Sequence, residues 1–335
     1  MGKANNNIKY TCLVDTNYTL SLYLLYMPLE AIGQTVFFIG NTIPQAYSKY
    51  LPNVIRLNDV RTPFQRLYLR ILAKLKWRFR YKTVFFAQDH ISFSSQIIDT
   101  CNYTLLEDAP LIFTNYKEIT FMRPFQPQSW KGKLHFFLTL GTIGRNVIGT
   151  NSQCVNRIYT EEKDSESELI KGRNAEKVDL GDLWSNSPDE KKAFIKKVFS
   201  ISDVVLTCGK KYSTILFTQP LMIDCKLTEE EVVNVYKPYI DLYGKDGIVL
   251  KIHPRDTFDY LKFFTNAFIM DCKAPMQLLN AMGVVFETAI TVSSTAVSAM
   301  PSATKIIWIG THVNEKIGRV YGNVKCPVKN SNVFI

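Results

Sequence analysis

Short apolar runs alternate along this chain with longer stretches in which apolar residues return every third or fourth position. The runs have the length and β-branched content of buried strands, and the longer stretches have the period of helices. The alternation predicts strands at residues 10–14, 35–39, 83–86, 103–106 and 157–160, with helices over 16–26 and 63–79. A second series follows. Ser187-Pro188-Asp189-Glu190 sets a cap, a first-turn proline and acids ahead of a helix over 191–199. A strand is expected at 212–218, and Thr228-Glu229-Glu230-Glu231 opens a helix that bends at Pro238 and stops before Gly244. Strands at 248–252, 268–271, 290–292 and 305–309, with a short helix over 275–281, complete the pattern. Strands alternating with helices mean parallel sheets with crossover helices, the α/β class. Residues 161–186 are charged and poor in large apolar side chains, so they read as a connection with little structure of its own. The prediction is two Rossmann-like domains, 1–205 and 206–335, facing each other across a central cleft, since ligands of such sheets bind at the strands' carboxyl ends.

Length supports two cores rather than one: the chain has 335 residues, 46% of them hydrophobic. A net charge of +10 fits anionic partners without choosing among nucleotides, acidic glycans, lipid and nucleic acid. The seven cysteines are scattered and form no Cys-x-x-Cys pair, which predicts reduced thiols in a cytoplasmic protein without a structural zinc site. Residues 1–9 lack the apolar core of a signal peptide, and no stretch reaches the roughly 18–20 apolar residues of a spanning helix.

The candidate chemistry sits at predicted strand ends. Leu105-Leu106-Glu107-Asp108-Ala109-Pro110 places two acids after a buried strand. Adjacent side chains of an extended chain point to opposite sides, so one acid is expected to act as a base and the other to hold structure. In Lys251-Ile252-His253-Pro254-Arg255 two cations flank a histidine able to donate to a departing phosphate oxygen. Ser293 and Ser294 stand where a strand runs into a small-residue helix start, a place that binds anions without a metal. Gln277, opening a short helix, and Thr218-Gln219-Pro220, at another strand end, are placed to contact a ligand. Each motif alone reads equally as a turn, a cap or a surface residue.

Their order along the chain is more specific: acid pair, Thr-Gln-Pro, Lys-x-His-Pro, Pro-x-Gln, then Ser-Ser-Thr. In this the chain resembles glycosyltransferase family 52, which includes bacterial lipooligosaccharide and capsule sialyltransferases, over most of its length. The resemblance implies a GT-B fold and an inverting, metal-independent transfer of sialic acid from CMP-sialic acid to a galactose-type hydroxyl, with no cofactor. By motif, Asp108 resembles the family's general base and His253 the residue that assists the leaving CMP, with Ser293 and Ser294 on the same phosphate. Lys251 and Pro254 then lie near the cytidine, and Gln277 stands where a glutamate usually contacts the ribose. Ala109 replaces the usual glycine. These two departures keep another nucleotide-activated hexose open as donor.

Partners follow from the same reading: a nucleotide-sugar donor, a glycan acceptor and, by the resemblance, a homodimer paired through the N-terminal parts. Arg61, Arg66, Arg70, Lys74, Lys76, Arg78, Arg80 and Lys82 interleave with Leu67, Leu69, Ile71, Leu72, Leu75 and Trp77. That helix reads either as a solvated face over an ordinary buried stripe or as a surface lying on anionic lipid at the inner face of the cell membrane. The segment 121–137, with Trp130, reads as an acceptor-side loop or as a packed connection. A basic nucleic-acid-binding protein is the alternative outside enzymes, but zinc-finger spacing and an aromatic-basic RNA signature are both missing, so nucleic acid is not an expected partner.

Overall fold

The computed structural model describes residues 8–40, 42–56, 64, 83–91, 94, 97–98, 101–108, 129–131, 133–134, 148–149, 153–160, 167–172, 174–245, 247–253, 255–328 and 333–334. The chain divides into two compact units, Met1–Val198 and Phe199–Ile335. This division falls ahead of the expected boundary after residue 205, because a single helix, Asp203–Lys211, runs through that point.

The first unit holds a seven-stranded parallel sheet of β1 Tyr10–Val14, β2 Thr35–Ile39, β3 Val54–Arg56, β4 Val84–Ala87, β5 Tyr103–Leu106, β6 Cys154–Tyr159 and β7 Asn174–Lys177. Their order across the sheet is β3-β2-β1-β4-β5-β6-β7. Cys12, Leu13, Val14 and all of β2 are buried, as strands covered on both faces must be. Helix α1, Asn17–Tyr26, starts where the Thr16 side chain accepts the Thr19 N–H, and it is buried from Tyr18 to Leu25. It is followed by α2, Leu29–Gly33, and is packed against α3, Leu180–Ser185, and α4, Asp189–Val198. From α4 the buried Lys191 ammonium donates to the Leu25 carbonyl at 2.5 Å, satisfying an end carbonyl of α1.

Two expectations fail here. Residues 161–186 are not structureless, since they contain β7 and α3. An edge strand pairs through its backbone and needs no apolar side chains, so the exposed Asn174-Ala175-Glu176-Lys177 forms a strand that composition hides. The Asp179 carboxylate accepts the Asp182 N–H at 2.9 Å and starts α3. Ser187, expected to cap the next helix, instead donates its hydroxyl to the Leu183 carbonyl at 2.7 Å.

The second unit repeats the design with six parallel strands: β8 Thr214–Phe217, β9 Ile248–Lys251, β10 Ala267–Ile269, β11 Thr288–Thr291, β12 Lys305–Trp308 and β13 Val333–Phe334. Their order is β10-β9-β8-β11-β12-β13. Its helices are α5 Asp203–Lys211, α6 Leu221–Asp224, α7 Glu229–Tyr243, α8 Tyr260–Phe263, α9 Met276–Ala281 and α10 Glu315–Tyr321. The expected capping box of α7 is present, Thr228 and Glu231 exchanging bonds, and the helix ends at Gly244 with Pro238 inside it. The small-residue run after β11 is a single 3₁₀ turn, Thr295–Ala299, rather than an α-helix. Each unit has its own apolar core. Among the described residues no helix is long and apolar enough to cross a membrane. The basic helix expected over 63–79 and the rest of the stretch 61–82 lie outside the described residues except for Phe64, which is exposed. Of the segment 121–137, residues 129–131, 133 and 134 are described, with Trp130 exposed.

Candidate functional site

In a doubly wound sheet the connections to either side of one strand pair leave a crevice at the carboxyl ends, and that pair can be read from the strand order. In the first unit it is β1 and β4, and β5 stands beside β4.

The chain leaving β4 is Gln88-Asp89-His90, and the chain leaving β5 is Glu107-Asp108. The two acids have separate fates. Glu107 is fully buried. One of its carboxylate oxygens accepts from the Tyr18 hydroxyl, from the Thr160 N–H at 2.9 Å and from the Thr160 hydroxyl at 2.5 Å. Its carbonyl accepts the Thr19 hydroxyl at 2.8 Å. Glu107 thereby ties the first turn of α1 to β5 and the end of β6. Asp108 points the other way, with its side chain 28% exposed. Its Oδ1 accepts from the Gln88 amide, and its Oδ2 lies 3.1 Å from His90 Nε2. Between these two residues Asp89 turns into the core, where its carboxylate accepts from the Tyr103 hydroxyl at 2.7 Å and the Gly149 N–H at 2.8 Å. Burial raises its pKa and those two bonds oppose the rise.

In the second unit the strand order reverses between β8 and β11. Thr218 and Gln219 follow β8, His253 follows β9 beside it, and Ser293 and Ser294 follow β11 on the other side. Thr218 is a buried framework residue. Its hydroxyl accepts the His253 N–H at 3.0 Å and donates to Asp256 Oδ2 at 2.8 Å, and the Tyr260 hydroxyl donates to that same oxygen at 2.8 Å. The His253 ring is half-buried, and its Nδ1 accepts the Arg255 N–H at 3.1 Å. Burial first, then the nearby Arg255 charge, lowers the imidazole pKa below its usual value. A neutral ring that accepts at Nδ1 carries its proton on Nε2, which makes Nε2–H its donor.

The two cations flanking His253 already have partners within the protein. Lys251 Nζ donates to the Cys272 carbonyl at 3.2 Å, and burial lowers its pKa. Arg255 makes a bidentate pair with Asp224 at 2.8 and 2.9 Å. Both were expected to serve an anion; in the structure one braces the end of β9 and the other the turn after it. Ser294 caps the 3₁₀ turn, its side chain accepting the Ala296 N–H at 3.3 Å, and Ser293 beside it is half-buried. Gln219 donates its N–H to the Tyr236 hydroxyl at 3.0 Å. Gln277 is half-buried in α9, which Pro275 opens. Ala109 and Pro254 lie outside the described residues. Sequence reasoning missed Gln88, His90 and Asp256. The signal for the first two was present, a polar tripeptide directly after the apolar run that forms β4. Among the described residues no group of three histidine, cysteine or acidic side chains is arranged to hold a metal ion.

Residues 54–314 match the family model of glycosyltransferase family 52. The chain belongs to glycosyltransferase family 52. An uncharacterised protein of Haemophilus influenzae is 31% identical over 246 residues, which is 73% of this chain and 74% of that one. Among solved structures, a sialyltransferase from Photobacterium damsela is similar with a TM-score of 0.54 and 12% identity, over 97% of this chain and 81% of that one. UDP-GlcNAc 2-epimerase of Methanocaldococcus jannaschii, in complex with UDP-GlcNAc and UDP, reaches 0.51 with 14% identity over 94% and 86%. At such identities these likenesses concern the fold, which is of GT-B type with two Rossmann-like units. Membership of the family makes this chain a glycosyltransferase, with a nucleotide-sugar donor and a glycan acceptor.

Proposed function

We propose that this family-52 glycosyltransferase is an inverting sialyltransferase that moves sialic acid from CMP-sialic acid to a galactose-type hydroxyl of a bacterial surface glycan. The observation that carries the reading is the division of labour between the two sheets. One switch point has the solvent-reaching carboxylate Asp108 beside it, and the other presents the neutral donor His253 with Ser293 and Ser294.

The chemistry follows from those groups. Asp108 takes the proton of the acceptor hydroxyl as its oxygen attacks the anomeric carbon. The bond from that carbon to the phosphate oxygen breaks, and CMP leaves with the electron pair. His253 Nε2–H donates to the phosphate as its charge grows, while the hydroxyls of Ser293 and Ser294 serve the same group. A neutral donor suits this role because it need not lose a proton to act. Direct displacement inverts the anomeric centre and asks for no covalent intermediate and no divalent ion. Gln277 favours a second reading of the donor: an amide where the family usually carries a carboxylate meets the ribose differently, which fits another nucleotide-linked hexose in place of CMP-sialic acid.

The test is transfer from CMP-sialic acid to lactose. Asp108→Ala should lower turnover on the order of 10²–10⁴-fold while CMP binding, read by calorimetry, stays at the wild-type value. Wild-type turnover in that variant would remove Asp108 as the base.

A further inference from the structure

We propose that Gln88 is the positioning residue for the base, an amide at the β1/β4 switch point that orients the Asp108 carboxylate. The inference rests on the reading of Asp108 as the base.

Gln88 is fully buried, and both ends of its amide are used. Its Oε1 accepts the Asp15 N–H at 2.5 Å and the Thr16 N–H at 3.3 Å, where the chain leaves β1 and turns into α1. That end fixes which way round the amide sits: with the oxygen held by two backbone donors, the Nε2 hydrogens face Asp108 Oδ1 and the Thr16 hydroxyl, the latter at 3.4 Å. A glutamine is ambiguous in isolation, but here the backbone has chosen its orientation. Asp108 therefore has a donor on Oδ1 from a residue that cannot rotate and His90 Nε2 on Oδ2. Contacts on both oxygens determine the plane of the carboxylate.

The charged and titratable groups around Asp108 are few among the described residues. His90 faces it from the chain after β4, Glu107 precedes it with its side chain turned into the core, and Asp15 sits on the far side of Gln88. Gln88 is thus the neutral spacer that separates the end of β1 from the base.

The decisive variant is Gln88→Glu, which has the same shape. One carboxylate oxygen still accepts the Asp15 and Thr16 N–H groups, but the other replaces a donor with a second negative charge against Asp108. Like charges in contact disfavour ionisation, so the acid limb of kcat against pH should move up by about one pH unit or more. On the acid side of that limb kcat should fall about tenfold with KM for CMP-sialic acid little changed, and the rate should recover towards the wild-type value as pH is raised. A ¹³C-carboxyl NMR titration of the aspartates, with Asp108→Asn to assign the signal, reads the same displacement without any substrate. Gln88→Met, which removes every hydrogen bond of the amide, should lower kcat at every pH. An unchanged acid limb and an unchanged titration in a folded Gln88→Glu protein would overturn the proposal, as would loss of folding in both variants, which would make Gln88 purely structural. If Asp108→Ala keeps wild-type turnover, the base itself is misassigned. If that variant is inactive and Gln88→Glu titrates like wild type, the Gln88 proposal alone falls.

Discussion

At the scale of single residues, neighbours in sequence do opposite things here because an extended chain sends alternate side chains to opposite sides. Glu107 and Asp108 are the instance: one oxygen of the first gathers three protein donors inside the unit, and the second reaches solvent between Gln88 and His90. His253 has a consequence that can be measured. Its folded pKa lies below the usual imidazole value, so the fold favours the neutral ring. The stability this contributes is complete above the unfolded imidazole value near 6.5 and is lost as pH falls through the lower folded value. Melting temperature measured from pH 8 to pH 5 should therefore drop more steeply in wild type than in His253→Gln. Parallel curves for the two proteins would mean that the ring is not held neutral by its surroundings.

At the scale of elements, the site residues are held by helix starts and strand ends that are themselves tightly placed. Helix α5 lies against the turn before β11 so closely that a Cβ on Gly209 would come 2.3 Å from the Val285 carbonyl oxygen and 3.1 Å from its nitrogen. Both are backbone atoms and cannot rotate away. Gly209→Ala should destabilise the protein by about 1–3 kcal/mol in urea unfolding, in spite of alanine's better helix propensity. A neutral or stabilising result would show that α5 can shift at no cost. The turn after β9 depends on a comparable local lock, in which Thr218, Asp256 and Tyr260 fix the backbone that carries His253.

At the scale of the whole molecule, two sheets of the same parallel design each carry a switch point, one presenting an acid and the other neutral donors. If the second unit holds the nucleotide, CMP should raise the melting temperature in proportion to the logarithm of its concentration, and UDP should do so less. In hydrogen exchange CMP should slow the amides around 218–219, 252–253 and 292–294 while those of β7, at the far edge of the first sheet, keep their rates. Equal effects from UDP, or protection confined to the first unit, would contradict the assignment of the nucleotide to the second.

The sequence by itself determined the α/β class, the positions of most strands and the boundaries of α7, because burial on both sheet faces demands apolar runs and helix caps demand particular side chains. The strands at 10–14, 35–39 and 103–106 and the capping box at Thr228 were legible for that reason. Strand β7 was not, since an edge strand is held by its backbone and leaves little trace in side-chain polarity. Only the tertiary structure decided which polar side chains are framework and which are free to act. Thr218, Lys251 and Arg255 look like ligand contacts in the sequence, and the structure gives each a partner within the protein that the sequence does not reveal: Asp256, the Cys272 carbonyl and Asp224. Gln88 and Asp108, twenty positions apart, meet because β4 and β5 are hydrogen-bonded neighbours, and a partner of that kind has no signature along the chain.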